Sequence, residues 1–244
     1  METKYSNFDF EKSRERIDEI LKGADASYTE KKSIPSRDDL TFTNGFNVYC
    51  SALFVDIRGS KALNKKHTKP VLAKIYKTYI SELVAILKDH PKVKEVCIEG
   101  DCVWGIFDTP YTSDIDNLFS IGAKVSSLVD VLNIKYKKRG YSELTVGIGI
   151  SYGRSLMVKS GYKGSGINEV VWLGSLVSEA AELCGFGNKE YSDNEMMVSS
   201  VFYNNLNDDN KKLLNWSSSR SCYHGNVINI QMDKWVQANQ KSHA

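Results

Sequence analysis

Two aspartates, Asp56 and Asp101, are the residues of this chain best suited to chemistry. Asp56 closes an apolar run and is followed by Ile57-Arg58-Gly59-Ser60, a turn toward a helix whose backbone amides can face phosphate. Gly59 permits backbone angles that other residues avoid and lets a ligand come close, while Asp56 offers hard oxygen ligands for Mg2+ or Mn2+. Asp101 follows Gly100 at the tip of an expected hairpin. If that hairpin pairs beside the strand ending at Asp56, the two carboxylates converge. Sharing one site they repel, and each raises the other's pKa unless a cation between them favours both ionised forms. The arrangement then calls for metal. Taken singly, each aspartate serves equally well as a turn former or helix cap; the order of the elements is what joins them.

Those elements are legible from spacing. Phe46 to Val55 (FNVYCSALFV) is short, apolar and rich in β-formers, which suits a strand buried on both faces. Val71, Leu72, Ile75, Tyr76, Tyr79, Ile80, Leu83, Val84 and Leu87 recur at helical steps and predict a helix covering a sheet. KVKEVCI and CVWGIF flank Glu99-Gly100-Asp101 and predict the hairpin. A second helix is expected from Ile115 to Leu132, capped by Ser113. In the next strand Leu144, Val146, Ile148 and Ile150 alternate with Thr145, Gly147, Gly149 and Ser151, so one face is nearly bare and another backbone must approach it closely.

A strand near Glu169 to Trp172, the helical LGSLVSEAAELCG and a short strand near Met196 to Val198 follow. GYKGSG reads as a hairpin connection, and CYHGNVINIQM alternates only partially, at Val227, Ile228 and Ile230. Ahead of all this, Phe8 to Leu21 reads as an N-terminal helix with Phe8, Phe10, Ile17, Ile20 and Leu21 loosely along one face. Lys22 to Asn44 is a polar connector or strap, so 1–43 form an extension and 44–244 the main domain. Strand, helix, hairpin, helix, strand is the βαββαβ order of a ferredoxin-like α/β (α+β) domain.

Composition narrows the functions. With 244 residues, 41% hydrophobic and 25% charged, the chain is long and apolar enough for a sizeable core, which excludes disorder for most of the chain. Lysine plus arginine is 32 against 30 acidic residues, so a net charge of +2 gives no field for gripping nucleic acid, and a small ligand fits better. Cys50, Cys97, Cys102, Cys184 and Cys222 are odd in number with no C-x-x-C pair, as expected of reduced thiols in a cytoplasm. The N-terminus is charged where a signal peptide is apolar, and no stretch is long enough for membrane insertion, so a cytoplasmic protein is expected. His67, His90, His224 and His243 have no ligand-like spacing, and no nucleophile elbow, dinucleotide fingerprint or Walker loop occurs.

Over roughly Phe46 to Gly185 the chain resembles the class III nucleotidyl cyclases. SALFVDIRGSKAL resembles their first metal motif and IEGDCVWGIF their second; VGIGISYG and VVWLGSLVSEAAEL are similar to their last conserved strand and helix. The resemblance implies a ferredoxin-like class III cyclase catalytic domain in which Asp56, Asp101 and the carbonyl of Ile57 hold two divalent ions, Mn2+ or Mg2+. It implies that the amides of Ile57, Arg58, Gly59 and Ser60 hold the triphosphate of a nucleoside triphosphate. The ribose 3′-oxygen then attacks the α-phosphorus in line, giving a 3′,5′-cyclic nucleotide and pyrophosphate. A homodimer is implied too, because each site of this family draws on two subunits.

The chain also departs from that pattern. Purine-specific relatives read the base with lysine plus aspartate or threonine, or with glutamate plus cysteine; the matching positions here are Cys97 and Val171, which cannot read a base edge in the same way. Through the DIRGS form of the first motif and the compact stand-alone domain, the chain is most similar to the bacterial pyrimidine cyclases of the Pycsar anti-phage systems. That resemblance implies UTP or CTP as substrate, with a slight lean to UTP, cUMP or cCMP as product, and a separate effector protein that reads it. Where the family has an asparagine and, four residues on, an arginine, this chain has Ser178 and Glu182. Arg58, Arg154, Lys159 and Lys163 are the candidates to replace the missing charge, Arg58 being best placed. A non-catalytic nucleotide sensor is one alternative, and an adenylate or guanylate cyclase, with the base positions shifted by one residue, is another.

Overall fold

The structure, a computed structural model, describes residues 5–23 and 28–240. Helix α1 (Phe10–Leu21) and strand β1 (Tyr28–Glu30) lead through a 3-10 turn at Arg37–Asp39 to β2 (Gly45–Ile57), α2 (Ser60–Lys66) and α3 (Lys69–Lys88). A hairpin of β3 (Val93–Glu99) and β4 (Cys102–Phe107) precedes α4 (Thr112–Lys137), and a longer one joins β5 (Val146–Tyr162) to β6 (Ile167–Leu173). The chain continues through α5 (Ser175–Phe186), β7 (Met196–Val198), α6 (Ser200–Asn204), α7 (Asp208–Lys211), β8 (Asn215–Ser217), β9 (Cys222–Gly225) and α8 (Ile230–Gln240).

The strands run in the order β3-β4-β2-β5-β7-β9-β8, with β1 parallel on β2 and β6 antiparallel on β5. Neighbours among β3, β4, β2 and β5 are antiparallel, so with α3 and α4 as crossovers they form the expected ferredoxin-like core. β2 is its centre and is covered on both faces. Leu53, Val55 and Ile57 pack against Ile75, Tyr79 and Leu83 of α3 and Leu118, Val125 and Leu132 of α4. Phe46, Val48, Cys50, Ala52 and Phe54 lie on the other side, in one cluster with Trp172 of β6, Ala180 and Cys184 of α5, and Ile34 and Leu40 of the strap.

The bare face of β5 has its reason in α5. A Cβ on Gly147 would fall 2.2 Å from the Cys184 carbonyl oxygen, and one on Gly149 would fall 2.1 Å from that of Ala180, so the helix backbone rests directly on the strand. GYKGSG is the connection between β5 and β6.

One local expectation needs correction. Ser113 does not cap α4: the helix begins at Thr112, and the Asp114 carboxylate accepts the Tyr111 N–H at 3.2 Å. In CYHGNVINIQM the strand ends at Gly225, and α8 begins at Ile230, where Asn229 accepts the Met232 N–H at 3.1 Å and caps the helix. The N-terminal helix forms, but Phe8, Phe10, Ile17, Ile20 and Leu21 are all exposed, and the Arg16 guanidinium lies 4.7 Å from the Tyr162 ring centroid. No helix among the described residues is long and apolar enough to cross a membrane.

Candidate active site

β2 and the β3–β4 hairpin bring the two aspartates together. Val55 pairs with Val103 and Glu99 with Cys102, which sets Asp56 beside the hairpin tip that carries Asp101. Gly100 makes the turn at φ +66, a left-handed conformation that favours glycine. Burial, and next the negative charge of Asp101, push the Asp56 carboxyl above its ordinary range, while Arg58 and the Ile57 amide pull against that rise. Burial and the charge of Asp56 likewise hold the nearby Cys102 thiol up at about 12.

Past Asp56, Ile57 stays in the sheet opposite Val146, and the Arg58 N–H donates to the Thr145 carbonyl at 2.7 Å. The Arg58 amide therefore extends the sheet ladder. Gly59 turns the chain at φ +67, and its carbonyl accepts the Ala62 N–H at 2.8 Å, opening α2. Ser60 and Lys61 stand in the first turn of that helix, where amides lack an intrahelical acceptor.

The Arg58 guanidinium points away from this turn. It donates to the Gly185 carbonyl at 3.1 Å and the Cys184 carbonyl at 3.0 Å, and it lies 3.4 Å from Asp56 Oδ2. The expected phosphate ligand is thus already engaged at the C-terminus of α5, where orphan carbonyls and the helix dipole favour a cation. The other cationic candidates lie elsewhere. Arg154 pairs with Glu30 and Lys159 sits 5.4 Å from the Phe42 ring centroid. Arg154 is seven residues along β5 from Gly147, the partner of Asp56, or roughly 23 Å at strand rise. Lys163 lies in the turn between β5 and β6.

Cys97 faces partly open space on β3, and Val171 is exposed on β6. Burial, then Glu95, Glu169 and Glu99, push the Cys97 thiol up to about 11, so it stays protonated as a weak donor. Ser178 and Glu182 share the exposed face of α5. His67 bonds Ser142 and the buried His90 bonds the Asp114 carbonyl; His224 accepts the Asn194 N–H, and His243 lies outside the described residues.

Sequence reasoning missed two side chains. Tyr76 counts only as part of a helical repeat, yet after burial the charges of Asp101 and Asp56 raise its hydroxyl, which places it beside the pair. Arg37 sits in a polar stretch without periodicity, yet it bridges Glu95 and Glu169 next to Cys97. Its position before the Asp38-Asp39 turn carries no signal of that reach.

The aspartate pair suits a divalent cation. The negative charge of Asp101 bears on the Asp56 carboxyl, and Ile57 follows Asp56 directly at the end of β2. Hard cations of the magnesium type are held by one or two carboxylates with substrate phosphates completing the shell, which is the donor set offered here.

The chain matches the family described as adenylate and guanylate cyclase catalytic domain over residues 47–208. It is 38% identical to a uridylate cyclase from Gulbenkiania mobilis, across 98% of this chain and 100% of that protein. It is 36% identical to a uridylate cyclase from Treponema porcinum, across 86% of this chain and 74% of that protein. The crystal structure of the adenylyl cyclase CyaB from P. aeruginosa has a similar fold, with TM-score 0.59 and 20% identity, covering 70% of this chain and 85% of that one. With its antiparallel core and these matches, the chain belongs to the adenylate and guanylate cyclase catalytic domain family, the class III nucleotidyl cyclases, and is an enzyme acting on nucleoside triphosphates.

Proposed function

We propose that this enzyme is a uridylate cyclase that converts UTP to 3′,5′-cyclic UMP and pyrophosphate, with CTP the poorer substrate. The observation that carries the proposal is the similarity, over nearly the whole chain, to a protein named uridylate cyclase. The absence of both purine-reading pairs at Cys97 and Val171 supports it.

Asp56, Asp101 and the Ile57 carbonyl would hold Mg2+ or Mn2+ ions, which lower the pKa of the ribose 3′-hydroxyl and stabilise charge on the departing phosphates. Gly59 keeps side chains out of the way where the triphosphate lies, and the first-turn amides of Ser60 and Lys61 face it. Arg58 acts as a positioning residue, tying Asp56 to the end of α5. The 3′-oxygen displaces pyrophosphate from the α-phosphorus in line, and no covalent enzyme intermediate forms.

The exposed face of α5 with Ser178 and Glu182, together with exposed Val171 and Leu173, supports a homodimer with two equivalent sites. By the resemblance to anti-phage cyclases, the product is a second messenger for a separate effector protein. Incubation with all four nucleoside triphosphates and Mn2+, read by mass spectrometry, tests the reaction. Cyclic UMP predominates and Asp56→Ala makes none. Metal-dependent binding without any cyclic product would replace the enzyme with a sensor, and cyclic AMP or GMP as main product would restore the purine reading.

A further inference from the structure

Cys97 and Val171, the two positions where purine-specific relatives read the base, lie on different strands, and one side chain reaches between their neighbours. Glu95 and Cys97 are two residues apart on β3 and share a face, roughly 7 Å along the strand; Glu169 and Val171 are related in the same way on β6. Arg37, carried by the strap, joins the two. Its Nε lies 3.4 Å from Glu95 Oε1, and its Nη2 donates to Glu169 Oε1.

The bridge is anchored at one end and open at the other. Only 8% of the Glu95 side chain is exposed, and Trp172 Nε1 donates to its Oε2 at 2.8 Å. Glu95 Oε1 is buried with no hydrogen bond, so the Arg37 charge is what compensates it. Arg37 itself is 55% exposed, leaving part of its planar fork toward solvent. Of the charged groups whose fields reach Cys97, Glu95 and Glu99 come from β3, Glu169 from β6 and Arg37 from the strap, and Arg37 is the cation.

A base lying across Cys97 and Val171 meets that cation at its edge. Uracil offers O4 as an acceptor there, whereas cytosine offers an amino group, which set against an N–H donor leaves both donors unpaired. We propose that Arg37 donates to O4 of the uracil and thereby selects UTP over CTP, with Glu95 and Glu169 holding the guanidinium and Trp172 positioning Glu95. This rests on the uridylate cyclase reading above.

Steady-state kinetics with UTP and CTP in Mn2+ test it, on wild type, Arg37→Ala, Arg37→Lys and Trp172→Phe, each checked by thermal melting. The expected result for Arg37→Ala is a fall of about tenfold to a hundredfold in the UTP-to-CTP ratio of kcat/KM, the size of one charged hydrogen bond, carried by the KM for UTP. Arg37→Lys keeps the charge without the fork and recovers part of the ratio; Trp172→Phe gives a smaller loss. Should Arg37→Ala lose its melting transition, Arg37→Gln makes the same comparison. An unchanged ratio, or an equal loss for both nucleotides, overturns the role of Arg37 while leaving the uridylate reading intact. A wild type that cyclises neither nucleotide overturns the uridylate reading itself, and Arg37's role with it.

Discussion

Replacing Gly149 by alanine should separate α5 from the sheet, and Gly153 on the same strand supplies the control. A Cβ at Gly149 would stand 2.1 Å from the Ala180 oxygen, 2.2 Å from the Cys184 nitrogen and 2.8 Å from its Cα, while at Gly153 nothing lies within 4 Å. Ordinary contact begins near 3.4 Å, so the shortfall at Gly149 is about 1.3 Å against backbone, which no rotamer change relieves. Overpacking of this kind costs about 1–3 kcal/mol or more, and for a chain of this size that lowers Tm by about 2–12 °C. Gly153→Ala should be neutral or slightly stabilising, because it only restricts the unfolded chain. Lifting α5 also draws the Cys184 and Gly185 carbonyls away from Arg58, so cyclase activity falls together with Tm. Calorimetric melts and rates on both variants measure this. Melting of the two within about a degree of each other would refute the direct seating of helix on strand.

Two further predictions concern pH and the Arg58 contact. Burial pushes the Glu195 carboxyl up to about 7, with the Ser126 hydroxyl bond opposing and the charge of Asp130 adding. The stability it contributes is complete below its unfolded pKa of about 4.5 and is lost as pH rises through 7, a difference of up to about 3 kcal/mol. Glu195→Gln should therefore melt above wild type at pH 8 and close to it at pH 5; a gain that does not change with pH contradicts this. Arg58→Ala leaves two helix-end carbonyls without their donor, at a cost of about 1–3 kcal/mol, and should lower kcat with little change in the KM for UTP. A steep rise in KM at unchanged Tm would instead put Arg58 on the phosphates.

What the sequence discloses here is what depends on local pattern. The alternation from Leu144 to Ile150 reports both a buried strand and, through Gly147 and Gly149, the close backbone that lies on it. Gly59 and Gly100 mark turns whose positive φ values place the ends of β2 and the hairpin, and Asp56 and Asp101 follow from those turns. Arg37, Arg58 and Asn229 depend on contacts with residues distant in the chain: Glu95 and Glu169, the end of α5, and Ser127, whose Oγ accepts the Asn229 N–H at 2.8 Å. A polar side chain has no period to betray its partner, so the strap reads as connector and the Arg58 fork as loop. The amphipathic α1 shows the converse, a helical pattern correctly read whose apolar residues stay exposed.

The most direct test is a crystal structure with Mn2+ and a UTP analogue lacking the 3′-hydroxyl, collected at a wavelength where manganese scatters anomalously. Anomalous peaks bound by carboxylate oxygens of both Asp56 and Asp101 and by the triphosphate are the expected result. Manganese bound elsewhere, or the triphosphate seated away from the Gly59 turn, would contradict it.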